Sequence, residues 1–186
     1  MSSGTYRLGK LTSTAAAGRP DLLAPAVRAE LEATRLGGDV GVVEIDPDLS
    51  DTAQTQRAYD LPVEALANCV VVGGKRAGEE RVAGCVVLAD SRADVNTTVK
   101  RRLDVRKASF MPMESAVEAS GMEYGAITPV GLPTQWSLLV DSRVVESDLI
   151  VLGSGIRSSK LLLPGRMLTL LPRIEVVVGL GGQMRS

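Results

Sequence analysis

The sequence predicts an α+β fold, with a mixed, mainly antiparallel, barrel-like sheet and helices packed around it. Three observations carry this. The apolar runs are short, frequent and rich in Val and Leu. Segments of helical period fall between them irregularly, without the strand–helix alternation of a parallel α/β fold. Two Val-rich runs bounded by glycines, at 69–72 and 82–88, read as a hairpin. Apolar residues make up 45% of the 186-residue chain, yet it has one Phe and one Trp, so the core is aliphatic.

The elements follow in order. Residues 1–19, rich in Ser, Thr, Ala and Gly, read as loop. Asp21 opens a helix whose stripe is Leu22, Leu23, Val27, Leu31 and Leu36, and Gly37-Gly38 stops it. Val40, Val42, Val43 and Ile45 form a strand ended by Asp46-Pro47-Asp48. Ser50 or Asp51 caps a helix through Ala58, and Pro62 opens a further turn. The hairpin follows, with Gly73-Gly74-Lys75-Arg76-Ala77-Gly78 as its loop. Asn96 caps a helix to about Leu103, and another near 114–120 stops at Gly121. Short strands are expected near 125–127, 136–140, 149–152, 160–163 and 174–178, with a helical turn after Pro164.

Composition excludes much chemistry. The chain has no histidine, which removes Ser-His-Asp and Cys-His catalysis and every His-containing metal site. Two cysteines alone do not build a zinc site, so neither metal nor cofactor is expected. Cys69 and Cys85 read as small buried hydrophobes, with a cross-hairpin disulfide left open. The formal net charge of −1 advertises no nucleic acid globally. The N-terminus lacks a signal-peptide core, and the apolar region 161–180 is broken by Arg166, Pro172, Arg173 and Glu175. The expected location is the cytoplasm.

Five segments carry chemistry by their order and spacing. They are Asn68-Cys69-Val70-Val71-Val72, Ser120-Gly121, Gly125-Ala126-Ile127-Thr128-Pro129, Leu138-Leu139-Val140-Asp141 and Gly153-Ser154-Gly155. Together they resemble the YbaK/ProX family of aminoacyl-tRNA editing domains. The resemblance covers residues 38–178, preceded by an extension, 1–37, that carries a helix. It implies one YbaK-like domain over 1–186, hydrolysing the ester of mischarged tRNA in trans with partial help from the ribose 2′-hydroxyl. Its partners would be the acceptor end of aminoacyl-tRNA and a synthetase. The implied catalytic positions are Asn68, Gly125 and Asp141. Ala126, Ile127, Thr128, Pro129, Gly153, Ser154 and Gly155 would line the substrate. The chain departs from the family at Asn68, where relatives carry a functional lysine; Asn keeps hydrogen bonding and loses the charge.

Lys100, Arg101, Arg102, Arg106 and Lys107 form the densest basic cluster, the candidate contact to the RNA backbone. With so few aromatic residues, base stacking is not expected. Two other readings stay open: a non-catalytic binder of aminoacyl-tRNA or a nucleotide, and an interaction module of the same fold. A dinucleotide site at Gly153-x-Gly155-x-x-Ser158 is disfavoured, because the third glycine is missing and Pro164-Gly165 interrupts the required helix.

Overall fold

The computed structural model describes residues 4–183. Two sheets meet at a corner. The larger has five strands in the order Ile174–Val177, Ser137–Asp141, Glu79–Leu88, Ala67–Arg76 and Ala108–Phe110. Its hairpin and outer strand pair antiparallel, whereas Ser137–Asp141 and Ile174–Val177 join in parallel. The smaller sheet is antiparallel, in the order Ile150–Gly153, Ser159–Leu163, Gly41–Glu44 and Thr14–Ala15. Among the described residues one isolated parallel bridge, Leu66 to Val151, ties one sheet to the other. This is the mixed α+β architecture that the short, irregular apolar runs predict.

The helices follow local chemistry. Pro25–Thr34 buries Val27 and Leu31 and ends at Arg35 in the left-handed region. Asp51 caps Thr52–Tyr59 by accepting from the amides of Ala53 and Gln54. Met113–Ser120 stops at Gly121, as expected. Among the described residues no helix is long and apolar enough to cross a membrane.

Four local expectations are corrected. The hairpin strands are both ten residues long and run through Gly73-Gly74-Lys75-Arg76, leaving Ala77-Gly78 as the turn. Both turn residues have positive φ (52° and 84°), which suits the twist of a two-residue hairpin. Asp94 rather than Asn96 caps the next helical segment, accepting from the amides of Thr97 and Thr98; it stands just before Val95 and reaches the free N–H groups of the first turn, whereas Asn96 lies inside the segment. Residues 125–127 form no strand, because Gly125 turns at φ +76° and the Ala126 amide closes that turn on the Glu123 carbonyl. The described part of 1–19 is ordered by pairing: Arg7–Leu8 with Leu11–Thr12, and Thr14–Ala15 with Gly41–Glu44. Buried Ser13 donates to the Gly4 carbonyl and accepts from the Tyr6 amide. Residues 1–3 lie outside the described part.

The hairpin has apolar clusters on both faces. Val71, Val82 and Val86 join the main core, while Val72, Cys85 and Val87 join a second one under the segment 95–105. Cys69 packs toward the first cluster and Cys85 lies in the second. Their register is offset by one residue, so the thiols point to opposite faces and both are free.

Candidate active site

A cleft of about 340 Å³ opens where the two sheets meet. The first residues of Ala67–Arg76 form one wall and residues 151–153 another. The start of Thr52–Tyr59, the loop around Gly125, and residues 110–113 close the rest. Most of the lining is apolar, including Val71, Met111, Ala116 and Ile127. Polar groups converge at one side: Asp51, Thr52, Asn68 and Lys160.

Four of the sequence-predicted residues meet here: Asn68, Gly125, Ile127 and Gly153. The Thr52 hydroxyl donates to the Asn68 side-chain oxygen (2.8 Å), which orients the amide. Gly125 adopts φ +76°, which bends the loop over the cleft and bares its backbone. Arg157 pins that loop, donating to the carbonyls of Tyr124 (3.2 Å) and Pro47 (2.9 Å). Gly153 lies so close to the loop that a Cβ there would strike the Ala126 carbonyl.

The remaining predicted positions support this cleft without lining it. Ala126, Thr128 and Pro129 are buried behind the Gly125 loop. The Ser154 hydroxyl is consumed within its own turn, bonding Ile156 and Ser159. Gly155 packs against Ala24, Val27 and Met122.

Asp141 is a correction. Only 1% exposed, it caps Ser142–Glu146 through the Arg143 amide (2.8 Å) and also accepts from the Gly181 amide. Its carboxylate holds two backbone segments together and does not line this cleft. The same Asp at a strand end suits a helix cap as well as a pocket wall, and the short helix after it gave no sequence signal.

The basic cluster is exposed but divided. Arg102 pairs with Glu175. Arg106 and Lys107 line a second groove, of about 390 Å³, with Lys75 and Glu80. Phe110 and Met111 belong to both groove and cleft, so the two share a wall. Lys100 and Arg101 line neither.

Sequence reasoning missed three features. Lys160 hides in a run that reads as an apolar strand; the strand Ser159–Leu163 is buried throughout, and Lys160 is only 7% exposed. Phe110 and Tyr124, each 57% exposed, stand at the cleft mouth, so stacking surface exists after all. Their scarcity in the sequence concealed their clustering.

Lys160 is the one ammonium in the lining. Its Nζ donates to the Ser50 carbonyl (2.8 Å), and among the described residues no carboxylate pairs with it. Burial lowers its pKa to about 8; nearby Arg157 pushes the same way and Asp51 opposes. Cys69 also faces the cleft, but burial first, and then Cys85, pushes its thiol up, so little thiolate forms.

Residues 46–170, more than half of the chain, match the family of the aminoacyl-tRNA editing domain. Among solved structures, the crystal structure of a hypothetical protein superposes with a TM-score of 0.73 at 19% identity, covering 84% of this chain and 99% of that one. A protein described as a candidate trans-editing enzyme for prolyl tRNA synthetase gives 0.70 at 19% identity, covering 84% and 97%. A designed epitope scaffold gives 0.69 at 18% identity, covering 83% and 95%. At these identities the structural likeness establishes a shared fold. No curated protein matches the chain.

Proposed function

The chain belongs to the aminoacyl-tRNA editing domain family, and from that premise we propose that it hydrolyses the ester of mischarged aminoacyl-tRNA in trans. The observation that supports this best is convergence. Asn68, Gly125, Ile127 and Gly153, far apart in sequence, meet at one apolar-walled cleft with a polar side. A volume of about 340 Å³ suits an amino acid with part of the terminal ribose.

Under this reading the side chain of the wrong amino acid enters among Val71, Met111 and Ile127. The Gly125 loop presents backbone groups to the ester. Asn68, oriented by Thr52, holds the ribose end. With no histidine and a protonated Cys69, the protein offers neither a strong general base at neutral pH nor a nucleophile from these groups. The ribose 2′-hydroxyl therefore helps to place the water, and the site contributes orientation and fixed dipoles. Arg106, Lys107 and Lys75, along the adjoining groove, neutralise the RNA backbone. Cleft size sets selectivity; one methylene contributes about 1–3 kcal/mol. The setting is cytoplasmic, alone or docked on a synthetase.

The uncharged Asn68 favours a second reading, a binder of aminoacyl-tRNA without turnover. Deacylation of a panel of mischarged tRNAs by the purified protein separates the two, with Asn68→Lys assayed beside it. Turnover by the parent of one aminoacyl class is the expected result. Binding without turnover in the parent, with activity restored in Asn68→Lys, supports the second reading. Neither binding nor turnover in either protein sinks both.

A further inference from the structure

We propose that Lys160 is a catalytic residue of this cleft, its ammonium receiving the ester carbonyl oxygen as that oxygen takes on negative charge. The proposal deepens the deacylase reading and rests on it.

Lys160 is a cost to the fold without a structural return. A buried ammonium loses its hydration and normally regains it from a carboxylate. Lys160 has no such partner among the described residues. One of its N–H groups meets the Ser50 carbonyl, and the others are left to the cleft it lines. An apolar side chain of similar length would fill a strand that is buried throughout, at less cost. The neighbouring register position is Gly153, so no side chain of that residue stands beside the lysine.

A second polar group waits in the same corner. The Ser50 hydroxyl is buried with no hydrogen-bond partner. A Cβ on Gly125 would lie 3.9 Å from it, so it adjoins the loop that presents backbone to the ester. The ionisable groups around the corner are Asp51 and Arg157, with Cys69 and Tyr124 in the same lining. Near neutral pH the lysine is mostly charged.

The step balances without any co-reactant. Water oxygen adds to the ester carbonyl carbon, and the carbonyl electron pair moves onto its oxygen, where Lys160 stabilises it. The pair returns, and the bond from carbon to the ribose oxygen breaks. The water proton passes to that ribose oxygen through the adjacent 2′-hydroxyl. Free amino acid and uncharged tRNA leave.

The test compares the parent with Lys160→Met and Lys160→Arg on the mischarged panel, alongside unfolding midpoints. The expected result is a kcat about a hundredfold lower in Lys160→Met, with a midpoint unchanged or raised, and a partial rate in Lys160→Arg. The parent kcat falls as pH passes about 8, and Lys160→Arg lacks that fall. Lys160→Met turnover within threefold of the parent overturns the proposal, as does a rate loss that merely follows a lowered midpoint. If the parent deacylates nothing, the deacylase reading fails and the corner is read separately. Inorganic phosphate, a tetrahedral oxyanion, is titrated against protein carrying ¹³Cε-lysine, with the Lys160 resonance assigned by its loss in Lys160→Met. A raised titration midpoint for Lys160 establishes the anion-binding corner without turnover; an unmoved one overturns it.

Discussion

Asp141 and Lys160 are both charged, both buried and both on strands, yet their surroundings differ. The carboxylate of Asp141 meets two backbone amides from separate segments and joins a helix start to the strand Gly181–Gln183. The ammonium of Lys160 meets one carbonyl and otherwise faces a cleft. A buried charge whose bonds are filled by its own backbone stabilises a fold. One left short of partners is a burden to the fold and a resource for a ligand.

The comparison breaks first at Asp141. Asp141→Ala leaves two amides without their acceptor and is expected to cost about 3–4 kcal/mol, combining a lost helix cap with a second buried bond. Urea unfolding measures it, and deacylation per folded molecule should stay near the parent. An unchanged midpoint removes the contrast.

Lys160 should show the opposite sign. Its pKa is lowered from 10.5 to about 8 in the folded state. Below about 8 both states are protonated and the folded state bears the full penalty. Between about 8 and 10.5 the unfolded chain holds more protons, so stability rises with pH. The gain approaches roughly 3 kcal/mol. Subtracting the unfolding curve of Lys160→Met isolates it, and a flat difference from pH 7 to 10.5 contradicts the assignment.

Two serines repeat the contrast on a smaller scale. Ser154→Ala removes a hydroxyl bonded to Ser159 and Ile156 and should cost about 2 kcal/mol. Ser50→Ala removes a hydroxyl that bonds nothing and should change stability by less than about 0.5 kcal/mol, because no hydrogen bond is lost. Equal losses in thermal unfolding end the parallel. In the cleft itself, Thr52→Val frees the Asn68 amide at about 1 kcal/mol. It should show as a severalfold rise in KM with kcat less affected.

The sequence made the strands legible wherever Val and Leu cluster between glycines and prolines. The strands Ser137–Asp141 and Ile150–Gly153, one in each sheet, lie within one residue of their expected places. Hidden from it was which partner each polar group would meet. Asp141 as a cap depended on Ser142–Glu146, a helix of five residues with no clear period. The hairpin loop was misplaced because Gly73 and Gly74 mimic a turn; in the sheet they lie beside Ala108–Phe110, where a Cβ on Gly74 would strike Val105 and the Lys107 carbonyl. Of the cleft, the Asn68 and Gly125 segments were legible because small and polar residues punctuate apolar runs there. Lys160 was not, since its position follows from three-dimensional convergence.

The bridge between Leu66 and Val151 has a further consequence. Among the described residues this one rung joins the two sheets, and each otherwise keeps its own ladder. Both bridge residues border the cleft. Exchanges at these two positions therefore retune the bore of the site without re-specifying the architecture, so a lineage can change which side chain it admits in small, separately tolerated steps.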